Sequence, residues 1–385
     1  METTGPQASP SVRGLSLRSE AASLTAEPAV IEVARRPWRI AIVAGLRLAW
    51  AAAGFFLFIL ALQLLKVGAK GVADILEGAN ANGPLNLLGF GWLGSYLVMS
   101  GSPVAAIAMS LFSAEAISDS EALAMINGSR LGASFIVLFV GFLLYATRRR
   151  TADGLYIGVV ALLTAFTLWL PALPLGLLAL RSGCFDGIQV ASPGALTSFV
   201  DVVFDPMTDR ADEHLHNLLI FVMGAAGLLI SFAVFDRALP DLEQPSLRVE
   251  RLKDALHRPF VMFVLGLIVT AMTLSVSISL TLLIPLSLRG YVRRTGIIPY
   301  VMGANISTWV DTMLAALLLD SPRAFTIVFT QMAVGATISL LVLLLAYKPY
   351  SRLLLATAHR VMLGKREFAL FLGAIFLIPV ILFLI

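Results

Sequence analysis

Two short serine clusters carry side chains that could bind an ion inside a membrane. The first cluster contains Ser100 and Ser102, and the second contains Ser275 and Ser277. Hydroxyl groups and free backbone carbonyls can coordinate small cations, whereas the N-terminal ends of short helices attract anions. A site built from these groups would suit an anion that is carried together with a cation. For any one serine, close packing or a bond to its own helix is the commoner role. Here, however, two clusters occur at equivalent positions of a repeated pattern.

Two ionisable residues, Arg130 and Asp311, lie inside apolar stretches in opposite halves of the chain. A charge at the bilayer centre costs about 2.5 to 3.5 kcal/mol on insertion scales, so such residues usually face a cavity or a partner. Arg130 could hold an oxyanion through its planar guanidinium, while Asp311 binds sodium or a proton. Alternatively, the two form a salt bridge that holds the halves together, or Arg130 lies shallow and reaches the interface.

These residues belong to a duplicated pattern. The spacing from the first serine of each cluster to the first glycine of the following motif is 28 residues in both halves, from Ser100 to Gly128 and from Ser275 to Gly303, and the copies lie 175 positions apart. A duplicated membrane unit with polar residues at equivalent depths is typical of a secondary transporter, whose site forms where two repeats meet.

The composition defines the class of protein. Hydrophobic residues make up 58% of the 385 residues and charged residues only 14%, which predicts an all-α polytopic membrane protein. The net charge of +4 comes from basic residues between apolar segments, where they determine topology, so no nucleic-acid partner is expected. The single cysteine excludes an intramolecular disulfide.

About 20 apolar residues are needed to cross the hydrocarbon of a bilayer. Seven stretches meet this length, at about 40 to 65, 121 to 146, 155 to 180, 215 to 235, 296 to 319, 324 to 347 and 367 to 385. Two further stretches, about 83 to 113 and 258 to 288, are interrupted by Gly, Ser and Pro. Each could be one tilted helix or two short half-helices.

Positive charge favours hairpins for these two stretches. Arginines at 35 to 39 and at 148 to 150 place both ends of the first unit in the cytosol, which requires the stretch at 83 to 113 to enter and leave from outside. The arginines at 289 to 294 require the stretch at 258 to 288 to enter and leave from inside. The two units are therefore predicted to have opposite orientation, with one re-entrant hairpin each.

The predicted organisation has five parts. They are a disordered cytosolic tail at 1–38, a first transmembrane repeat at 39–180, an extracytoplasmic loop at 181–214, a second repeat at 215–347, and a linker with the final transmembrane helix at 348–385.

The motif that begins at Met302, MGANISTWVDTMLAALL, resembles the GANIG-TT signature of the type II sodium-dependent phosphate cotransporters, the Na/Pi (NptA-like) family. The serine clusters lie where that family carries paired QSSS motifs. The resemblance implies inverted repeats and sodium-coupled uptake of inorganic phosphate. It assigns these binding residues: Ser100, Ser102, Ser275, Ser277, Gly303, Asn305 and Thr308.

The chain departs from the family pattern at four informative positions. Met99 and Leu274 replace the glutamines that open the serine motifs, Arg130 stands at the asparagine position of the first GANIG copy, and Asp311 replaces a threonine of the second. A sodium-coupled phosphate symporter of the cell membrane, in a bacterium the inner membrane, is the function we expect. The alternatives are the same architecture with a proton or another small oxyanion, or a non-transporting scaffold or sensor. No enzyme motif and no cofactor beyond the coupling ion is predicted.

Overall fold

The computed structural model describes residues 37–78, 83–147, 153–238, 255–273, 275–288 and 291–385. Within these ranges the regular elements are helices, and no strand occurs. The predicted tail up to residue 36, the arginines at 148 to 150 and Leu274 lie outside the described residues. Trp50–Ile385 forms one compact unit, and the contacts described below lie within it.

We number the α-helices in chain order. They are α1 (Pro37–Gly78), α2 (Pro84–Val98), α3 (Ser102–Ser113), α4 (Asp119–Ala133), α5 (Phe135–Ala146), α6 (Asp153–Arg181), α7 (Gly194–His214), α8 (Asn217–Ala238), α9 (Pro259–Thr273), α10 (Val276–Thr281), α11 (Leu283–Leu288), α12 (Arg294–Ser307), α13 (Trp309–Leu318), α14 (Pro322–Leu341), α15 (Tyr347–Leu363) and α16 (Lys365–Leu384). A 3-10 turn (Ala255–His257) precedes α9, and a π-helical turn (Val342–Ala346) joins α14 to α15.

Seven helical segments of the described residues are long and apolar enough to cross a membrane. Each overlaps one of the seven predicted spans, because long apolar runs form helices in a bilayer. Two of the segments are interrupted, at Ser134 between α4 and α5 and at Thr308 between α12 and α13. The segments are Ile42–Gly78, Asp119–Leu143, Gly154–Arg181, Asn217–Ala238, Arg294–Leu318, Pro322–Leu363 and Lys365–Leu384. The chain is an all-α, multi-pass membrane protein.

The first interrupted stretch contains two half-helices that fold back on each other. Helix α2 ends at Met99, which has a left-handed backbone (φ 56°), and the Ser100 N–H donates to the Ser95 carbonyl at 3.1 Å. A Cβ added at Gly94 would lie 3.4 Å from the Val104 side chain. Ten residues of a continuous helix would separate these positions by about 15 Å, so the chain reverses at the serine cluster.

The second interrupted stretch reverses at the corresponding place. The Thr270 hydroxyl in α9 donates to the Ser279 hydroxyl in α10 at 2.7 Å, and Ser279 also bonds to the Tyr300 hydroxyl at 2.9 Å. Nine residues of continuous helix would place Thr270 and Ser279 roughly 13 Å apart. The break falls at Ser275, the N-cap residue of α10.

Glycines bring α2 against α4 and α9 against α12 in the same way. A Cβ added at Gly91 or Gly128 would overlap a backbone carbonyl oxygen of the facing helix, and the same holds for Gly266 and Gly303. The facing carbonyls belong to Met125, Leu88, Tyr300 and Phe263, respectively. Each contact of the first pair recurs 175 positions later in the second. Small residues at these crossings let the two backbones touch.

Two predicted non-membrane segments contain more helix than expected. Most of the predicted loop at 181–214 is the helix α7, whose buried residues Val200, Phe204 and Thr208 recur every four positions. This periodicity indicates an amphipathic helix that its many aspartates obscure in a hydropathy reading. The predicted linker after residue 347 is likewise the helix α15.

Candidate functional site

Arg130 lies on α4 in the interior of the protein. Its side chain is 0% exposed, its Nη2 donates to the Thr312 hydroxyl at 3.3 Å, and its guanidinium carbon lies 4.4 Å from the ring centroid of Trp309. The Nε and Nη1 atoms have no hydrogen-bond partner in the described part of the chain. The side chain does not reach the surface of the protein.

Thr312 connects Arg130 to Asp311. The Thr312 hydroxyl accepts from Arg130 and donates to Asp311 Oδ1 at 2.9 Å, which uses its single proton. Among the described residues, the ion pairs closer than 4.0 Å do not include Arg130 with Asp311. The two charges are therefore joined through a hydroxyl rather than by the direct salt bridge that the sequence left open.

The first hairpin meets the second half of the chain at the same place. The Ser102 hydroxyl at the start of α3 lies 3.3 Å from the Thr308 hydroxyl, at the break between α12 and α13. Asp311 follows three residues after Thr308, and its Oδ2 has no hydrogen-bond partner among the described atoms. Helix ends and breaks at membrane depth are tolerated where protein or a water-filled cavity satisfies their backbone groups.

The other predicted site residues have different surroundings. Asn305 is fully buried, and neither its amide oxygen nor its amide nitrogen has a partner in the described structure. Ser275 caps α10, where its hydroxyl accepts from the Ile278 N–H at 3.3 Å, so its observed bond serves the helix. Ser100 is half-buried at the first break, and the side chain of Ser277 lies outside the described residues.

The structure adds polar residues that the sequence analysis did not select. Trp309 and Trp169 pack with their ring centroids 5.4 Å apart. The Asn127 amide donates to the Trp169 carbonyl at 3.0 Å, and the Gln331 amide donates to Asn127 Oδ1 at 2.5 Å. The sequence features that could have indicated this network are Asn127, an amide in the first glycine-rich motif, and Gln331, a polar residue in an apolar span.

The buried site has unused hydrogen-bonding capacity of both kinds. Arg130 offers two unpaired donor nitrogens, and Asp311 offers an unpaired carboxylate oxygen. Leaving such a group unpaired costs about 1 to 3 kcal/mol, and more when it is charged. The arrangement fits a ligand pair in which an anion accepts from the guanidinium and a cation or proton binds the carboxylate.

A cavity of about 690 Å³ opens beside the start of α4. Its lining includes Asp119 and Arg323, which form an ion pair with a shortest N–O distance of 2.6 Å, and Arg323 also binds Asp186 at 2.5 Å. The predicted topology places all three residues outside the membrane on the same side. The ion pairs connect the ends of α4, α14 and the segment after α6.

No protein-family model, curated protein or solved structure matches this chain.

Proposed function

We propose that this chain is a secondary active transporter of the cell membrane that carries a small oxyanion together with a cation. Inorganic phosphate and sodium are the pair that the motif resemblance favours, and the bacterial inner membrane is the compartment we expect. The observation that carries the proposal is the buried Arg130–Thr312–Asp311 chain, in which both charged ends keep unpaired atoms.

Electrostatics give a reason for coupled binding. An oxyanion bound at Arg130 alone would add negative charge beside the Asp311 carboxylate, and a cation bound at Asp311 alone would add positive charge beside the guanidinium. Uncompensated buried charge is expensive, whereas a neutral set of four charges avoids most of that cost. The two ligands should therefore bind together, which is the requirement for symport.

An inverted repeat would explain why the first hairpin meets the second half of the chain at this site. Corresponding elements begin 175 positions apart, as Pro84 with Pro259 and Asp119 with Arg294, and the glycine contacts between them keep the same register. The predicted opposite orientation of the units is supported by the meeting of Asp119, Asp186 and Arg323. Inverted repeats with broken helices form substrate sites at their interface.

A proton is the second candidate for the coupling ion. Asp311 Oδ2 is buried and unpaired, so it could accept a proton instead of binding sodium. Protonation would neutralise the carboxylate in the same way as a bound cation. Replacing phosphate with another small oxyanion would use the same donors.

Uptake into proteoliposomes tests the proposal. Radiolabelled phosphate should accumulate when a sodium gradient is imposed, while a proton gradient without sodium should drive uptake only if Asp311 is a proton carrier. Lack of uptake by folded protein under sodium, potassium and proton gradients, with phosphate and then sulfate, would favour the scaffold or sensor alternative.

A double-mutant cycle tests the roles of Arg130 and Asp311. Arg130→Lys keeps the charge but loses the planar donor group, so apparent phosphate affinity should fall. Arg130→Gln and Asp311→Asn should each lower stability by several kcal/mol, because each leaves one buried charge uncompensated. The double variant should regain stability in detergent without regaining uptake. Restored uptake in the double variant would disprove the ligand roles of both residues.

A further inference from the structure

A second cavity, of about 260 Å³, lies between the 3-10 turn before α9, the start of α12 and the first turns of α15. Its lining contains three basic side chains, Arg293, Lys348 and Arg352, together with His257. No carboxylate is among the described residues that line it. This composition is opposite to that of the larger cavity, whose lining includes four carboxylate side chains and two arginines.

The three cations of this small cavity have no counter-charge in the described part of the chain. Among the described residues, Arg293, Lys348 and Arg352 have no side-chain hydrogen bond or ion pair, whereas Arg323 is bound by two aspartates. The neighbouring Arg294 differs as well, because its guanidinium lies 4.7 Å from the ring centroid of Tyr156. Like charges held together repel one another, so an anionic group between them would be stabilised.

The backbone around the cavity is held in place and offers further donors. The Tyr347 hydroxyl donates to the Thr295 carbonyl at 2.6 Å, which ties α15 to the start of α12. Arg293 is the N-cap residue of α12, and its own side chain does not satisfy the first free N–H groups of that helix. These N–H groups add to the positive potential at the cavity.

We propose that this cavity binds a phosphate group through Arg293, Lys348 and Arg352. The predicted topology places it at the cytosolic surface, where basic pockets between transmembrane helices bind the headgroups of anionic lipids. A free phosphate ion presents the same oxygens, and its source would be the cytosol. The site is separate from the buried Arg130, and its existence does not depend on transport.

The test compares two triple variants that remove the same charge. One is Arg293→Gln with Lys348→Gln and Arg352→Gln. The control is Arg360→Gln with Lys365→Gln and Arg366→Gln, three exposed positions near the same end of the chain that do not line the cavity. Binding of short-chain phosphatidylglycerol, phosphatidylcholine and inorganic phosphate to the detergent-purified protein is measured by native mass spectrometry and by titration calorimetry.

The cavity variant should bind the phosphate ligand about a hundredfold more weakly than the unmodified protein, at roughly fivefold for each cation. The control variant should bind it as the unmodified protein does, and Arg352→Lys should retain binding. Preference for phosphatidylglycerol over inorganic phosphate would identify a lipid site, and the reverse preference a free-phosphate site.

Inorganic phosphate is also titrated against Arg130→Lys, so that binding at the buried site is distinguished from binding at this cavity. Absence of binding by both phosphatidylglycerol and phosphate, or an equal loss in the control variant, would overturn the proposal. Size-exclusion chromatography of each variant shows whether it is folded. If the triple variant does not fold, the single variant Arg293→Gln serves as the test.

Discussion

Thr312→Val is the sharpest test of the link between Arg130 and Asp311. Valine has nearly the shape of threonine but no hydroxyl, so the change removes the bridge without opening a cavity. It leaves Arg130 Nη2 and Asp311 Oδ1 without the partners they now have. The two charges, more than 4.0 Å apart, retain only their direct attraction, which is below about 4 kcal/mol at an effective dielectric constant of 20.

The expected loss of stability follows from these bonds. A hydrogen bond to a charged group contributes about 1.5 to 3 kcal/mol, and two such bonds are lost. Allowing for their sharing of one hydroxyl, we expect Thr312→Val to lower the free energy of unfolding by about 2 to 5 kcal/mol. Thr312→Ser keeps the hydroxyl and loses one methyl group, so it should cost only about 1 kcal/mol.

Thr330→Val is the matched control. Thr330 is buried to the same degree as Thr312, but its hydroxyl donates only to the Thr326 carbonyl of its own helix, at 2.7 Å. Its replacement should change stability by less than about 1 kcal/mol. Thermal unfolding in detergent and phosphate uptake are measured for all three variants. Equal behaviour of Thr312→Val and Thr330→Val would refute the proposed hydroxyl bridge.

Two further predictions concern helix packing and topology. Gly128→Ala and Gly303→Ala should each lower the free energy of unfolding by about 1 to 3 kcal/mol, because the new methyl group meets a facing carbonyl. Gly373→Ala should leave it unchanged, because a Cβ there meets nothing within 4 Å. Thermal unfolding of the three variants checks this. An impermeant thiol reagent added outside cells should label the exposed Cys184, but it should not label Thr295→Cys in a Cys184→Ser background. Labelling of Thr295→Cys from outside would contradict the opposite orientation of the second unit.

The spans were predictable from the sequence because each depends on a local property. A run of apolar residues must form a continuous helix in a bilayer, and a cluster of Gly, Ser and Pro weakens that helix where it occurs. The breaks at Met99 and Ser275 follow from this rule. Helix α7 was missed because its apolar face is narrow and its aspartates dominate the average hydropathy.

The partners within the site were not predictable from the sequence. Thr312 looks like any threonine of an apolar helix, and its role depends on α4 passing beside α13. Gln331 is similar, because its bond to Asn127 joins residues 204 positions apart. Arg130 and Asp311 were recognisable because a charge in an apolar span is costly wherever it lies.

The glycine contacts determine which parts of the molecule can move independently. Where a backbone rests directly on a carbonyl, as at Gly128 and Gly303, the two helices cannot slide without separating, so α2 with α4 and α9 with α12 should each behave as a stiff block. The hydroxyls of Ser102 and Thr308 meet at the boundary between the first hairpin and the second half of the chain, and hydroxyls can exchange hydrogen-bond partners at little cost. We therefore expect the two blocks to move relative to each other at this boundary, on the microsecond-to-millisecond timescale of hinge and shear motions.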